Sequence, residues 1–438
     1  MVHRKIKNLV LNVINELPKE LQHIIFKANT EIRFLKFKIL TTISANRNVS
    51  NPSKIYWISP KRIMFHTNYL GSKSAKRTPF ADRVFPRNMR GKVIDGKWDL
   101  TDYKFSNLLV YNAFKERIED GAEWQNTQFY KFILRAAESG RHFWGIQNQS
   151  DLNERCNFLD SLYESIKDNG FRLNRSICDS NSTYDEIDVN IGRNGEYLFQ
   201  NGVHRLSMAK ILGINYVSVM VFVRHKEWQD FREYAISYAK QQRRGRLYQP
   251  IVHPDLADIP YYNQEGHNCE DIMKAIKVHL EPKKSVMLDI GANIGFFCHK
   301  FEDLGYRCYA VEKDPFVFRI LKKVKIAENK KFKLFNKSIF DVEVIKNTKF
   351  DVVLALNIFH HFLKTEADFV KFKHLLKNLK TDSMFFEAHR YDDTQMNNAF
   401  INFTQPEFVD FILQNTSLNK SKVIYTAKNG RTIFKLVK

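Results

Sequence analysis

An apolar run that leads into two closely spaced glycines constrains the fold of this chain more than any other feature. The sequence Val286-Met-Leu-Asp289-Ile-Gly291-Ala-Asn293-Ile-Gly295 predicts a strand, a tight turn and the start of a helix. Glycines are needed in such a turn when a ligand approaches the backbone closely at the carboxyl end of the strand. The spacing differs from the G-x-G-x-x-G of dinucleotide folds, so a pyrophosphate is not the expected ligand.

Strands and helices alternate from this motif to residue 438. The pattern predicts a doubly wound α/β sheet, in which helices cover both faces of parallel strands. Segments 423–427 and 432–437 flank Asn429-Gly430 and predict an antiparallel hairpin. The strands of the main sheet are predicted at Ser285–Ile290, Cys308–Glu312, Lys331–Phe335, Asp351–Asn357 and Ser383–Glu387.

The second predicted strand of this sheet ends in an acid, Glu312. An acid at that place can accept hydrogen bonds from the ribose hydroxyls of a nucleoside. With the glycine motif, these residues resemble the class I S-adenosylmethionine (SAM)-dependent methyltransferases over about 280–438, which have a Rossmann-like sheet. The resemblance implies SAM as cofactor and assigns its binding to Asp289, Gly291, Asn293, Gly295, Glu312, Lys313, Ser338, Ile339 and Asn357.

The fourth strand of the same resemblance ends at the motif Asn357-Ile-Phe-His360-His361, which would face the transferred methyl group. Methyl transfer is an in-line displacement that needs alignment and, for some acceptors, a base. Imidazole titrates near neutral pH, so the histidines are candidate bases. A purely structural or positioning role is the open alternative for both. The predicted catalytic residues are His360, His361, Asn357 and Glu387.

The kind of acceptor is narrowed by the residues that follow Asn357. The Asn/Asp-Pro-Pro-Tyr/Phe signature of amino-group nucleic-acid methyltransferases is absent, and Asn357-Ile-Phe-His360 stands in its place. The motifs Asn357-Ile-Phe-His360-His361-Phe and Phe385-Phe-Glu387-Ala-His389, with the terminal hairpin at Gly430-Arg431-Thr-Ile-Phe, resemble small-molecule and glycan-directed methyltransferases. These include the methyltransferase half of O-antigen chain-terminating kinase–methyltransferases. That resemblance implies a polar or anionic acceptor, such as a phosphorylated glycan.

A β-β-α-β pattern precedes this region. Strands are predicted at 187–192 and 196–200 around Asn194-Gly195, a helix at 204–212 and a buried strand at 217–223. The stretch Asn201-Gly202-Val203-His204-Arg205 resembles the ParB/sulfiredoxin-like fold, which we assign to an α+β domain over about 90–250. The resemblance implies that Asn201, Gly202, His204 and Arg205 hold the phosphates of a nucleotide such as ATP or CTP; a helix cap with a surface ion pair is the alternative.

The chain is strongly basic, with 69 Lys and Arg residues against 48 acids and a net charge of +21. Ten basic residues and one acid fall between Lys54 and Lys92, where Gly, Ser and Pro predict an exposed loop. Such clusters attract polyanions, so nucleic acid is a second class of partner. Residues 1–45 are amphipathic and basic, which is compatible with peripheral membrane contact or with packing on the rest of the chain.

Four segments follow from these patterns: a basic helical segment at 1–50, a basic loop region and α+β domain at 51–250, a linker and helix at 251–282, and the methyltransferase domain at 283–438. The five cysteines lack a CxxC pair, so no metal is expected. No apolar stretch reaches the ~20 residues of a transmembrane helix, and a cytoplasmic location is expected.

Two functions remain open from the sequence. The first is a SAM-dependent methyltransferase of a polar or anionic small molecule or glycan, with an N-terminal phosphate- or nucleotide-binding module for which kinase activity is one reading. The alternative is a nucleic-acid methyltransferase, or a SAM-binding nucleic-acid-binding protein, that uses the ParB-like domain as its grip.

Overall fold

The computed structural model describes residues 54–67, 85–86, 89–173, 186–242, 245–262, 268–281 and 285–438, together with Pro18 and Leu21. The chain forms two compact units, Met1–Glu233 and Tyr234–Lys438. Apart from those two positions, the predicted helical segment 1–50 and its membrane contact lie outside the described residues. About half of the basic cluster 54–92 also lies outside them.

A mixed six-stranded sheet forms the centre of the N-terminal unit, in the order β1-β6-β4-β5-β2 with β3 beside β6. Strands β4 and β5 form an antiparallel hairpin, and β6 lies parallel to β4. The strands are β1 (Ile55–Ile58), β2 (Phe65–His66), β3 (Val93–Ile94), β4 (Ile187–Ile191), β5 (Tyr197–Asn201) and β6 (Val217–His225). The helices are α1 (Leu109–Ile118), α2 (Gln128–Glu138), α3 (Gln149–Asn169), α4 (Val203–Ile211) and α5 (Lys226–Gln241), the last of which crosses into the second unit.

The β-β-α-β prediction is confirmed by β4, β5, α4 and β6. Every residue of β6 is buried, which explains why 217–223 is a continuous apolar run. The prediction of an exposed loop at 54–92 is wrong for the described part, because Ile55–Ile58 pairs with β6. Two of its cations are held inside the unit: Arg62 lies over the ring of Tyr197, and Arg90 forms an ion pair with Asp188 at 2.8 Å.

The C-terminal unit contains a seven-stranded sheet in the order β12-β13-β11-β10-β7-β8-β9. The predicted doubly wound α/β sheet is confirmed, because the neighbours from β9 to β11 are parallel. Its strands are β7 (Val286–Ile290), β8 (Arg307–Val311), β9 (Lys333–Phe335), β10 (Phe350–Ala355), β11 (Thr381–Ala388), β12 (Lys420–Thr426) and β13 (Thr432–Val437). Its helices are α6 (Cys269–Lys277), α7 (Phe296–Asp303), α8 (Pro315–Ala327), α9 (Glu343–Asn347), α10 (Glu366–Asn378) and α11 (Gln405–Asn415).

Each face of this sheet has its own apolar core, because neighbouring residues of a strand point to opposite faces. Leu288 and Val353 belong to one core, whereas Met287 and Leu354 belong to the other. The chain order along the sheet reverses between β7 and β10. At such a switch point a crevice opens at the carboxyl ends of the strands, where ligands bind in open α/β sheets.

The last strand runs against the others. Strand β13 is antiparallel to β11, and Thr432 lies opposite Ala388 at the carboxyl end of β11. The turn between β12 and β13 is therefore carried to the same edge of the sheet as the crevice. Within the part of the chain that the structure describes, no helix is both long enough and apolar enough to cross a membrane.

Candidate active site

The turn after β7 has a backbone that demands small residues. Gly291 and Gly295 have φ angles of +73° and +85°, and Asn293 between them has +52°. A Cβ atom on Gly291 would lie 2.8 Å from Ile358 Cδ1, and one on Gly295 would lie 2.2 Å from Leu321 Cδ1. Glycine is therefore favoured at both positions by its left-handed backbone, whereas the atoms that a Cβ would meet are the tips of flexible side chains.

Two acids support this turn from different sides. Glu312 lies at the end of β8, and its two carboxylate oxygens accept the backbone N–H groups of Asn293 at 2.9 Å and Asp314 at 2.8 Å. Burial raises the pKa of Glu312. Asp289 is 3% exposed and accepts a hydrogen bond from Cys298 Sγ at 3.4 Å. Burial raises the pKa of Asp289 to about 7.

A cavity of about 340 Å³, here called the Glu312 cavity, opens at the carboxyl ends of β7, β8 and β10. It brings together most of the residues assigned to SAM by resemblance. Asp289 and Gly295 lie outside its lining: the first is buried within the sheet, and the second precedes α7. The predicted residues in the lining are Gly291, Asn293, Glu312, Lys313, Ser338, Ile339 and Asn357.

A second cavity of about 550 Å³ adjoins the first and is here called the arginine cavity. Three arginines line it together with the acids Asp392 and Asp393. Tyrosine and amide side chains supply most of the remaining wall. The arginines are Arg246, Arg390 and Arg431; the other lining residues include Tyr238, Gln242, Tyr262 and Asn429.

Three residues, Tyr248, Asn293 and Asn357, line both cavities. Asn357 follows β10 with a φ angle of +54°, a conformation that Asn tolerates better than most residues. Its Nδ2 donates to Tyr248 Oη at 2.6 Å, and its Oδ1 accepts from Arg431 Nη1. Arg431 Nη2 in turn forms an ion pair with Asp393 at 2.7 Å. The shared wall is thus a hydrogen-bonded structure rather than an open boundary.

The histidines predicted as bases lie at one side of this wall. His361 lines the Glu312 cavity, and burial lowers its pKa to about 4. His360 is 2% exposed and lines neither cavity; its ring centre lies 4.1 Å from that of His361, and burial lowers its pKa to about 2. Glu387 is 3% exposed and also lies outside both linings. Their catalytic roles stay predictions.

Acidification is expected to destabilise the C-terminal unit through His360. An unfolded histidine has a pKa near 6.5, so below that pH the unfolded chain binds a proton that folded His360 does not. This contribution to stability is full above pH 6.5 and falls by up to about 1.4 kcal/mol per pH unit below it. Urea unfolding of wild type and His360→Gln between pH 7.5 and 5 measures the two slopes. The His360→Gln slope should be smaller, and equal slopes would contradict the depressed pKa.

Tyr248 and the three arginines were not among the predicted site residues. Tyr248 belongs to a stretch that reads as the end of one domain and the start of a linker. The structure holds this stretch in place: Tyr262 N donates to Leu247 O at 2.7 Å, and Gln249 Oε1 accepts Phe296 N at 3.2 Å at the start of α7. The signal for Arg431 was its place beside Asn429-Gly430, but its position at the crevice depends on the pairing of β13.

In the N-terminal unit, the four residues predicted to bind phosphate lie where β5 leads into α4. Gly202 has a φ angle of +93°, and a Cβ there would lie 3.1 Å from Ile187 Cα. His204 packs against Trp144, with ring centres 5.1 Å apart, and burial, with the nearby Arg155 cation, lowers its pKa to about 3. Arg205 is 8% exposed and forms an ion pair with Glu186 at 3.1 Å. Phosphate binding stays a prediction, and Arg205 has a partner inside the unit.

Residues 288–381 match a family model described as a methyltransferase domain. No curated protein matches the chain in sequence. Among the described residues, no group of three or more His, Cys, Asp or Glu side chains is placed to hold a metal ion. The sequence motif, the sheet and the family match identify a class I methyltransferase domain in the C-terminal unit.

Solved structures match part of this chain at low sequence identity. Monomeric WbdD is 17% identical with a TM-score of 0.36, covering 44% of this chain and 46% of that chain. A structure titled as the bifunctional kinase-methyltransferase WbdD is 16% identical with a TM-score of 0.38, covering 47% and 46%. Magnesium protoporphyrin IX methyltransferase from Synechocystis PCC 6803 with bound SAM is 12% identical with a TM-score of 0.30, covering 39% and 76%. This chain therefore matches about half the length of WbdD.

Proposed function

We propose that this enzyme transfers the methyl group of SAM to a polar or anionic acceptor that binds in the arginine cavity. The observation that carries the proposal is the wall shared by the two cavities at Tyr248, Asn293 and Asn357. SAM supplies a methyl group on a sulfonium. Most of the residues assigned to SAM line the Glu312 cavity, so an acceptor in the adjoining cavity would meet the methyl group at this wall.

The charge of the arginine cavity favours an anionic acceptor. Arg431 is paired with Asp393, and Arg390 Nε lies 3.1 Å from Asp392 Oδ1. Arg246 forms no ion pair with any residue that the structure describes, which leaves one positive charge in excess among these five residues. A guanidinium with free donors binds phosphate or carboxylate groups well.

The same lining contains no group suited to act as a base. No histidine lines the arginine cavity within the described residues, and both of its aspartates are ion-paired. Burial, with the nearby Glu387 carboxylate, raises the pKa of Tyr248 well above its ordinary value, so the hydroxyl stays protonated. These features favour an acceptor that is already ionised, such as a phosphate or carboxylate oxygen. A phosphorylated glycan belongs to this class.

The test is to incubate the protein with methyl-labelled SAM and a fractionated extract of its host. We expect label in a nuclease-resistant, anionic fraction that contains glycans or metabolites, and a transfer rate that changes less than about threefold between pH 6.5 and 8.5. Glu312→Ala is the control for non-enzymatic methylation. Label that nuclease treatment removes would overturn the proposal in favour of a nucleic-acid acceptor, and its binding should then fall steeply with salt.

For the N-terminal unit we propose a ParB/sulfiredoxin-like module that binds the phosphates of a nucleotide, with kinase activity as a further reading. The proposal is supported by the resemblance around Asn201 and by the left-handed Gly202 that starts α4. A helix N-terminus of this kind offers backbone N–H groups to phosphate. Equilibrium binding of ATP and CTP to wild type and His204→Ala tests it; equal affinities in both proteins would contradict a role for His204.

A further inference from the structure

We infer that Arg431, acting through Asn357, positions the Tyr248 hydroxyl at the border of the two cavities and thereby sets the alignment for methyl transfer. This inference rests on the proposed function, because it assigns the arginine cavity to the acceptor. Arg431 and Tyr248 are positioning residues here. Neither of them was among the predicted site residues.

The sheet topology brings the three residues together from distant parts of the chain. Asn357 follows the carboxyl end of β10. Arg431 immediately precedes β13, which runs antiparallel to β11, so its backbone also lies at the carboxyl edge. Tyr248 comes from the stretch before α6, where Leu247 is held by the hydrogen bonds Leu247 N to Pro260 O and Tyr262 N to Leu247 O.

The donor and the acceptor are fixed in both hydrogen bonds that connect Arg431, Asn357 and Tyr248. A guanidinium carries donors and no acceptor, so Arg431 must face Asn357 Oδ1. The amide of Asn357 is thereby oriented, and its Nδ2 donates to Tyr248 Oη at 2.6 Å. Tyr248 Oη accepts in this bond and keeps its own proton for another partner. If the Asn357 amide were rotated by 180°, its Nδ2 donor would face the Arg431 guanidinium, which also carries only donors.

Burial makes this arrangement persistent. The side chains of Arg431 and Asp393 are 14% and 16% exposed, so their ion pair is partly shielded from water. Asn357 is held in a left-handed backbone conformation, which limits where its amide can point. Because Tyr248 stays protonated, its contribution is orientation rather than proton removal.

The position of these hydrogen-bonded residues couples acceptor binding to the alignment of the acceptor with the methyl group. Arg431 and Asp393 line the arginine cavity, Asn357 and Tyr248 line both cavities, and none of the four lies in the lining of the Glu312 cavity alone. An anionic acceptor that contacts Arg431 therefore acts on the group that orients Tyr248. In-line displacement is sensitive to such placement, since a shift of about 1 Å costs roughly 100-fold in rate.

The experiment compares Arg431→Gln, Tyr248→Phe and the double variant with wild type, using methyl-labelled SAM and the acceptor fraction that wild type methylates. Each single variant should lower the rate at saturating acceptor by roughly tenfold or more. The double variant should be about as slow as the slower single variant, because both substitutions interrupt the same series of hydrogen bonds. Affinity for S-adenosylhomocysteine should stay within about threefold of wild type.

Two further variants distinguish a positioning role of Arg431 from a mere loss of positive charge in the arginine cavity. Arg431→Lys keeps the charge and a donor and should recover part of the rate. Arg246→Gln removes a cation from the same cavity that is outside the hydrogen-bonded chain, so it should raise the half-saturating acceptor concentration more than it lowers the saturated rate. If Arg431→Gln fails to fold, Asp393→Asn together with Tyr248→Phe provides the same comparison.

The inference would be overturned if the rate loss of the double variant equalled the product of the two single losses. It would also be overturned if Arg431→Gln changed only the half-saturating acceptor concentration and left the saturated rate unchanged. Absence of any transfer by wild type with every fraction would instead overturn the proposed function. Transfer by wild type and Arg431→Gln at equal saturated rates would leave the proposed function intact and remove the positioning role. The two failures are therefore distinguishable.

Discussion

Replacing Glu312 by alanine is expected to weaken the binding of SAM by about 100-fold or more. The substitution removes the buried carboxylate that is assigned to the ribose hydroxyls of SAM, and it also leaves the backbone N–H groups of Asn293 and Asp314 without their acceptor. Hydrogen bonds to a charged group are worth about 1.5–3 kcal/mol each, and about 2.7 kcal/mol corresponds to 100-fold. Titration calorimetry with S-adenosylhomocysteine measures the change.

Asp341→Asn is the matched control for this prediction. Asp341 is another acid at the same edge of the sheet, but it is exposed and does not line the Glu312 cavity. Its substitution should change the affinity by less than about twofold. Equal losses in the two variants, or an unchanged affinity in Glu312→Ala, would contradict the assignment of this cavity to SAM.

Replacing Arg205 by alanine is expected to destabilise the N-terminal unit by about 3–5 kcal/mol, whether or not the unit binds a phosphate. Arg205 is paired with Glu186, which also accepts a hydrogen bond from Ser218 Oγ at 2.7 Å. Removing the guanidinium leaves a buried carboxylate without the cation that neutralises it. Urea unfolding followed by the fluorescence of the tryptophans in this unit measures the loss.

The double variant Arg205→Met with Glu186→Leu is the control, because an apolar pair can replace a buried ion pair at little cost. We expect it to recover most of the lost stability. A contrary result is a stable Arg205→Ala protein with weakened nucleotide binding. That outcome would show that Arg205 serves a ligand and that the ion pair with Glu186 is incidental.

The central strands of the methyltransferase sheet were predictable because each carries a local signal. Strands β7 and β10 are apolar runs that end in residues suited to a ligand site, and the glycine turn follows from the left-handed backbone that Gly291 and Gly295 adopt. The clustering at one edge of the residues assigned to SAM then follows from the parallel arrangement, since their strands all end there.

The arginine cavity was not predictable in the same way. The place of Arg431 depends on the pairing of β13 with β11, and the place of Tyr248 depends on how a Pro-containing stretch folds back on α7. Both are long-range contacts that no local pattern encodes. The same holds for Arg205, whose sequence neighbours indicate a phosphate site while its partner Glu186 is supplied by the residue before β4.

The linings of the two cavities come largely from different parts of the seven-stranded sheet. The Glu312 cavity is lined mainly from β7, β8, β10 and the segment after β9, whereas most of the arginine cavity comes from residues 238–262, the residues after β11 and the β12–β13 turn. Tyr248, Asn293 and Asn357 belong to both linings. On the proposed function, mutations in the turn at 427–430 or at 390–394 would change the methylated compound, whereas the residues that line only the Glu312 cavity would keep the same methyl donor. During divergence of such enzymes, acceptor preference would then change through substitutions in these loops, and cofactor use would persist.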